Sequence, residues 1–217
     1  MIKKINLGVL ISGSGSTLQN FIDLIMAGRL PACIRVVISS KRNVPGLDRA
    51  RENAIPAVTI PYTDHTDTGS FSNAITRELD KYPVDLITLA GFVHFYKIPE
   101  KYSGRVMNIH PGLIPAFSGH NFYGMKVHEA AVSYGVKVSG CTVHFADNTY
   151  DNGPIILQRA VPVFFEDTPG ILAKRVFQEE CKAYPEAIRL FAEGRLQIEG
   201  RKVRILNPLE NTSTTTL

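Results

Sequence analysis

Unbroken apolar stretches alternate along the chain with stretches in which apolar residues recur every three or four positions. The first apolar run, residues 5–12, precedes a stripe formed by Leu18, Phe21, Ile22 and Ile25. Residues at that spacing share one face of a helix, whereas a continuous apolar run is typical of a strand buried on both faces. The pattern predicts a strand followed by an amphipathic helix.

The same alternation continues as far as residue 110. Further strands are predicted at residues 34–40, 57–62, 84–92 and 105–110, and further helices at 46–54 and from Phe71 to Leu79. Strands that alternate with helices in this way form a parallel sheet with helices on both faces. We therefore expect a Rossmann-like α/β fold with a mostly parallel sheet.

The carboxyl-terminal part has a different pattern. Two strands at 137–146 and 155–164 flank a turn-rich link, which predicts an antiparallel pair. A long helix follows from an N-cap at Thr168 to about Phe191, and residues 195–206 predict a closing hairpin. We predict one domain over residues 1–207, in which the carboxyl third is a candidate for a separate lobe. A polar, disordered tail is expected at residues 208–217.

Composition and charge narrow the possible functions. The 217 residues carry a net charge of +4, and the basic residues are spread along the chain, unlike the clustered charge of a nucleic-acid-binding protein. No apolar stretch approaches the roughly 20 residues of a membrane span, and the amino terminus reads as a strand rather than a signal peptide. We expect small-molecule partners, neither nucleic acid nor membrane, and a monomer or homodimer.

The three cysteines, Cys33, Cys141 and Cys181, are far apart and form no C-x-x-C pair. That spacing argues against a disulfide framework or a zinc site, and it fits a reducing, cytoplasmic compartment. The six histidines show no metal-binding spacing, so no metal is expected.

The segment "SGSGST" at residues 12–17 joins the first strand to the first helix. Its glycines permit close backbone approach, and a helix N-terminus attracts anions. A dinucleotide fingerprint would need a third glycine where Leu18 stands, and a P-loop would need a G-K-[ST] sequence that is absent. The segment therefore favours a single phosphate monoester over a dinucleotide, with an ordinary turn as the alternative.

Asn108 and His110 end the fifth predicted strand and point to the same side of it, because strand side chains alternate. They could merely mark where the strand reaches the surface, just as Asp151 could merely form a turn. Together, however, an amide and an imidazole are two donors suited to an oxyanion. A carboxylate beside the imidazole favours its charged form, so we expect the pKa of His110 to lie above its ordinary value.

No side chain among these three is an evident nucleophile. Cys141 and His144 are three apart on a predicted strand and should face opposite sides, which argues against a thiol nucleophile. The pattern indicates acyl transfer in which the substrate brings its own nucleophile.

Several motifs together carry a family resemblance. In order along the chain they are "LISGSGSTLQ" (10–19), "LAGF" (89–92), "NIHPGLIP" (108–115), "TVHF" (142–145) and "DNGPIILQ" (151–158). In this register the chain closely resembles the phosphoribosylglycinamide formyltransferases, over about residues 4–195. The resemblance implies transfer of a formyl group from 10-formyltetrahydrofolate to the amine of glycinamide ribonucleotide, a step of purine synthesis.

The resemblance also implies roles for individual residues. His110 would be the general acid and an oxyanion donor, Asn108 the second donor, and Asp151 the group that raises the pKa of His110 and orders a proton-shuttling water. The residues that match the binding site for glycinamide ribonucleotide are Gly13, Gly15, Ser16, Thr17 and Glu180. Those that match the folate pocket are Val93, His94, Phe95, Tyr96, Asn108 and Asp147, with the turn 147–151.

The chain departs from the family pattern at a few positions. Gly112 replaces a serine, Asn152 replaces a glycine or threonine, the loop around residues 116–125 is long, and no arginine stands near Ser72. These departures bear on folate affinity and leave the three catalytic positions intact.

Three alternative functions remain open. Methionyl-tRNA formyltransferase shares the catalytic residues but carries a further carboxyl-terminal domain, and formyltetrahydrofolate hydrolase carries an extra amino-terminal domain. Neither domain is expected here. A non-catalytic folate or nucleotide sensor on the same fold is the third, although a sensor has no need of oxyanion donors.

Overall fold

A computed structural model describes residues 3–207, so the tail predicted at 208–217 lies outside the described residues. Nine strands form one sheet: β1 (Ile5–Ile11), β2 (Ala32–Ser39), β3 (Ala57–Thr59), β4 (Leu86–Leu89), β5 (Val106–His110), β6 (Val138–Phe145), β7 (Ile155–Pro162), β8 (Leu196–Glu199) and β9 (Lys202–Ile205). The helices are α1 (Ser16–Met26), α2 (Pro45–Glu52), α3 (Thr68–Leu79), α4 (Met125–Tyr134) and α5 (Pro169–Ala192).

The strand order is β3-β2-β1-β4-β5-β6-β7-β9-β8. The first five strands are parallel, which confirms the mostly parallel sheet expected for the amino-terminal part. β2 and β3 lie on one side of β1, and β4 and the later strands lie on its other side. The chain therefore switches sides of β1 after β3. Ligands of open α/β sheets bind at the carboxyl ends of the strands beside such a switch point.

Helices cover both faces of the sheet and divide the core in two. One cluster packs α1, α2, α4 and α5 against the sheet through residues such as Phe21, Ala131 and Tyr184. The other packs α3 against the opposite face through Phe71 and Ile75. The α4 helix was not expected from the sequence, because only Val127, His128 and Ala131 of its ten residues are buried.

The carboxyl-terminal part of the sheet contains antiparallel strands. β6 pairs antiparallel with both β5 and β7, and β8 and β9 form the expected hairpin at the edge. The long helix α5 begins as predicted, since Thr168 Oγ1 accepts a hydrogen bond from the Ile171 backbone at 3.3 Å. The Tyr184 hydroxyl on α5 donates to the Met107 carbonyl at 2.7 Å and so fixes the helix to β5. Within residues 3–207, every helix is too short or too polar to traverse a lipid bilayer.

Candidate active site

A cavity of about 800 Å³ opens at the carboxyl ends of the parallel strands. Its walls come from the loop after β1, the segment after β4, the end of β5, the turn after β6, and α4 and α5. Among the predicted site residues, those that line it are Thr17, Val93, His94, Phe95, Tyr96, Asn108, His110, Asp147, Asp151 and Glu180. The fold thus gathers at one place residues that lie far apart in sequence.

Asn108, His110 and Asp151 meet on the floor of the cavity. Nδ1 of His110 lies 3.4 Å from Oδ2 of Asp151, and the Asn108 amide nitrogen donates to Oδ1 of the same carboxylate at 3.3 Å. The carboxylate is 11% exposed and the imidazole 3% exposed. One amide donor and the imidazole ring therefore lie against the same largely buried carboxylate.

His144 is a fourth member of this cluster and was missed in the sequence. It pairs with Asn108 across β5 and β6, and its Nε2 lies 3.2 Å from the Asn108 amide nitrogen. Its Nδ1 lies 2.9 Å from the Phe145 carbonyl, which can only accept, so the ring proton is on Nδ1. Nε2 then carries a lone pair that accepts from Asn108 and orients the amide. No sequence signal marked it, because the pairing of β5 with β6 in the folded chain brings the two residues together.

The His110 ring lies between two acceptors. Its Nε2 is 2.9 Å from the Phe117 carbonyl, while its Nδ1 faces Asp151. Burial lowers the pKa of His110, and Asp151 and the Phe117 carbonyl only partly offset this effect. The expectation that the pKa of His110 lies above its ordinary value is therefore wrong, although Asp151 acts in the expected direction. At neutral pH the His110 ring is neutral and carries one N–H, which can donate either to Asp151 or to the Phe117 carbonyl but not to both.

Asp151 has a constrained backbone, with φ of 47° in the left-handed region. The Gly119 backbone N–H donates to its Oδ2 at 2.9 Å. Burial raises the pKa of Asp151, but the adjacent His144 and His110 rings and the Gly119 hydrogen bond outweigh this and hold the pKa below its usual value. The carboxylate is therefore ionised at neutral pH.

The glycine loop leads into the N-terminus of α1 without a side-chain cap. Gly15 has φ of 71° and packs against α2, where an added Cβ would lie 2.6 Å from the Gly46 Cα. Ser14 and Thr17 line the cavity, whereas Gly13, Gly15 and Ser16 support the loop without lining it. Arg49 braces the loop by donating to the Ser14 carbonyl at 2.9 Å. The first turn of α1 therefore has no side-chain cap, and Thr17 within it lines the cavity.

The segment after β4 forms another wall of the cavity and begins beside the glycine loop, because the Val93 backbone donates to Ser12 Oγ at 3.0 Å. His94 stacks on Tyr62 with ring centroids 4.5 Å apart, and its Nδ1 lies 3.0 Å from the Ser40 hydroxyl. The Tyr96 ring is 4% exposed and its hydroxyl pairs with Thr76, so most of this side chain belongs to the core. Phe95 packs against Tyr150 of the turn after β6.

The turn after β6 is held by its own polar groups. The Asp147 carboxylate accepts from the Thr149 backbone at 2.9 Å and from the Asn152 side chain at 3.1 Å. Arg201, at the tip of the β8–β9 hairpin, donates to the Asn152 side-chain oxygen at 3.1 Å. Asn152, one of the departures from the family pattern, thus connects this turn to the edge hairpin.

Glu180 on α5 faces the cavity near the phosphate loop, because the neighbouring Cys181 carbonyl accepts from Asn20 of α1 at 3.0 Å. Burial raises the pKa of Glu180 to about 7. Within residues 3–207 no side chain or backbone group forms a hydrogen bond or ion pair with its carboxyl group, which remains available to a ligand with hydroxyl groups. Lys41, at the end of β2, also lines the cavity and was missed in the sequence.

The arrangement contains donors and a carboxylate but no activated nucleophile. In the described part of the chain, no serine, threonine, cysteine or lysine side chain is hydrogen-bonded to His110, Asp151 or His144. Cys141 is fully buried, and burial raises the pKa of its thiol to about 12. The same residues include no group of three or more His, Cys, Asp or Glu side chains placed to hold a metal ion.

A comparison with protein families shows the family to which the chain belongs. The model of one family, described as formyl transferase, matches residues 5–188. This chain is a formyl transferase family member. The resemblance inferred from the sequence motifs is thereby confirmed.

Individual relatives agree with this assignment. The chain is 38% identical over 200 residues to the phosphoribosylglycinamide formyltransferase of Haemophilus influenzae, a match that covers 91% of each chain. The crystal structure of glycinamide ribonucleotide transformylase 1 from Symbiobacterium toebii is similar to it with a TM-score of 0.88 at 46% identity, covering 94% of this chain and 95% of that chain.

A longer relative contains the same unit. The human trifunctional purine biosynthetic protein adenosine-3 is 42% identical over 198 residues, a match that covers 90% of this chain and 19% of the human protein. This formyl transferase therefore spans about a fifth of that relative's length.

Proposed function

We propose that the protein transfers a formyl group from 10-formyltetrahydrofolate to the primary amine of glycinamide ribonucleotide. The observation that carries this proposal is the convergence of Asn108, His110 and Asp151 between two chemically different ends of one cavity. One end has an uncapped helix N-terminus, which suits a phosphate, and the other has the aromatic walls of Phe95 and Tyr150, which suit a pteridine ring.

The absence of a protein nucleophile beside the trio fits direct attack by the substrate amine. The amine nitrogen forms a bond to the formyl carbon, and the formyl oxygen becomes negative. Asn108 donates to that oxygen with the amide hydrogen that points to Asp151 Oδ1 in the free protein, and His110 donates through Nε2 once the substrate oxygen replaces the Phe117 carbonyl there. Donors placed where charge develops stabilise the transition state more than the ground state.

The proton balance gives Asp151 its role. The amine becomes positive on attack, and the folate nitrogen must gain a proton before its bond to the formyl carbon breaks. Asp151 is ionised and largely buried, so it can hold a water that carries the proton from one nitrogen to the other. The products are the formylated glycinamide ribonucleotide and tetrahydrofolate.

Glu180 and Thr17 complete the proposed ribonucleotide site, with Gly13, Gly15 and Ser16 shaping its phosphate loop. Val93, His94, Phe95, Tyr96 and Asp147 complete the proposed folate site. The cytoplasmic location and the monomeric or dimeric state expected from the sequence belong to the same proposal.

The test is an assay of purified protein with both substrates, in which formylated ribonucleotide and tetrahydrofolate are quantified by mass spectrometry. Equal amounts of the two products, dependent on the ribonucleotide, are expected. Formate release without the ribonucleotide would instead identify a hydrolase. Binding of either ligand with no turnover would identify a sensor. Asp151→Asn serves as the matched inactive control.

A further inference from the structure

His128, on α4, is a buried histidine in the wall of the cavity that the proposed mechanism does not use. The residue is 4% exposed and lines the cavity. Its Nδ1 is sealed from solvent and lacks any hydrogen-bond partner within the described residues. Nε2 also lacks a hydrogen-bond partner within the described residues, but unlike Nδ1 it is not fully enclosed. Buried polar groups in proteins are nearly always paired, so this ring requires an explanation.

The unequal surroundings of the two nitrogens fix the tautomer. An N–H group that is buried without an acceptor is among the least tolerated arrangements in a folded protein, whereas an unpaired acceptor is tolerated better. The proton is therefore on Nε2, the nitrogen with access to the cavity. Burial, reinforced by His110, lowers the pKa of His128 to about 4. The ring is thus a neutral donor throughout the physiological pH range.

The position of α4 determines which ligand this donor meets. α4 packs on the same face of the sheet as α1 and α5, the helices that carry Thr17 and Glu180. The segment after β4, by contrast, contributes Phe92 and Tyr96 to the core cluster around α3 on the opposite face. His128 therefore belongs to the wall assigned to the ribonucleotide.

Within that wall, His128 lies toward the reacting centre. A Cβ on Gly112 would lie 2.9 Å from His110 Nε2 and 3.1 Å from Val127, the residue before His128, so α4 passes close to the His110 ring. In glycinamide ribonucleotide, the amide carbonyl is bonded to the carbon that bears the attacking amine. An oxygen acceptor of the substrate therefore lies beside the amine, where a donor next to His110 can reach it.

We propose that Nε2–H of His128 donates a hydrogen bond to the amide carbonyl oxygen of the glycinamide group and so orients the amine toward the formyl carbon. This assignment rests on the proposed function. His128 would then distinguish a glycinamide from a simple alkylamine. An alkylamine has no carbonyl oxygen, so its binding would leave the buried donor without an acceptor and would be weaker.

Two substitutions separate this role from simple packing. In His128→Gln the side-chain amide nitrogen can reach the position of Nε2, whereas in His128→Asn it can reach only the depth of Nδ1. We expect His128→Asn to lower kcat/KM for the ribonucleotide about tenfold, the loss of one hydrogen bond, with the KM for 10-formyltetrahydrofolate unchanged. His128→Gln should retain most of the activity. Thermal unfolding of both variants establishes that they are folded.

A substrate analogue tests the partner atom. With a ribonucleotide whose amide carbonyl is replaced by a methylene group, wild type and His128→Asn should have equal kcat/KM. A tenfold difference that persists with this analogue overturns the assignment to the carbonyl. Equal activity of folded His128→Asn and wild type on the natural substrate overturns it as well.

Nitrogen NMR of the wild-type protein tests the tautomer without any substitution. At pH 7 we expect the His128 ring to be protonated at Nε2 only, and the Nε2–H signal to shift when the ribonucleotide binds. Protonation at Nδ1 overturns the inference. A wild-type protein that transfers no formyl group at all would instead refute the proposed function.

Discussion

Nε2 of His144 lies 3.2 Å from the amide nitrogen of Asn108, directly across the antiparallel pair of β5 and β6. Because the Phe145 carbonyl holds the proton of His144 on Nδ1, only the amide nitrogen of Asn108, and not its oxygen, can face Nε2. The orientation of a proposed catalytic donor is thus set by a neighbouring strand.

The first prediction follows from this contact. His144→Phe keeps an aromatic ring but removes the acceptor, so the Asn108 amide loses one restraint. We expect kcat to fall about tenfold or more with small changes in both KM values, because the donor acts mainly in the transition state. Asn108→Ala should lower kcat by about 10²–10³, and the double variant should lose less than the product of the two effects. Cys141→Ala, on the same strand, is the control with unchanged kcat.

The second prediction concerns the charge of Asp151. Asp151→Asn keeps the size of the side chain but removes its charge, so the relay loses its base and kcat should fall by orders of magnitude, with both substrates still bound. Burial already lowers the pKa of His110, and Asp151 opposes this effect. Removing the carboxylate should therefore move the His110 titration to still lower pH, as followed by NMR. If neither kcat nor the His110 titration changes, Asp151 serves only to form the turn.

The third prediction separates two glycines of the phosphate loop. A Cβ on Gly13 meets nothing within 4 Å, whereas one on Gly15 collides with Gly46. Gly13→Val adds a side chain beside Ser14, which lines the cavity, so it should raise the KM for the ribonucleotide and leave that for the folate unchanged. Gly15→Ala should lower the melting temperature and impair both substrates. Steady-state kinetics and thermal unfolding distinguish these outcomes, and a rise in both KM values for a stable Gly13→Val would contradict the phosphate assignment.

The fourth prediction concerns stability and pH. Burial raises the pKa of Glu180 to about 7 from an unfolded value near 4.5. Between these values the folded state binds more protons than the unfolded state, so this group makes the free energy of unfolding fall as pH rises. Glu180→Gln has no ionisable group here, so its free energy of unfolding does not fall with pH for this reason. The free energy of unfolding of the variant minus that of wild type should therefore increase from pH 4 to pH 8, by at most about 3 kcal/mol. Urea unfolding at both pH values measures the difference. A difference that stays constant with pH would show that the carboxyl group is not perturbed.

Periodicity predicted most of the fold because most elements are strongly amphipathic or fully apolar. The helix at Phe71–Leu79 and the apolar run around β5 are examples, and both were found. The α4 helix lacked such a signal, since its burial depends on contacts with α5 rather than on a continuous apolar stripe.

The candidate site was predictable where residues share a strand or a motif, as Asn108 and His110 do. It was not predictable where tertiary packing decides. The register between β5 and β6, which places His144 beside Asn108, follows from strand pairing. The net pKa of His110 depends on how deeply the folded chain buries it, which the sequence does not give.

The reversal of strand direction at β6 has an evolutionary consequence. Asn108 and His144 are aligned by the ladder of backbone hydrogen bonds between their strands, and not by the segment that joins those strands. That segment, with its long loop and α4, can change in length without altering the alignment of these two residues. His110 and Asp151 depend on it more directly, through the Phe117 carbonyl and the Gly119 N–H, so a change in the loop acts on them and leaves the pair of Asn108 and His144 in place.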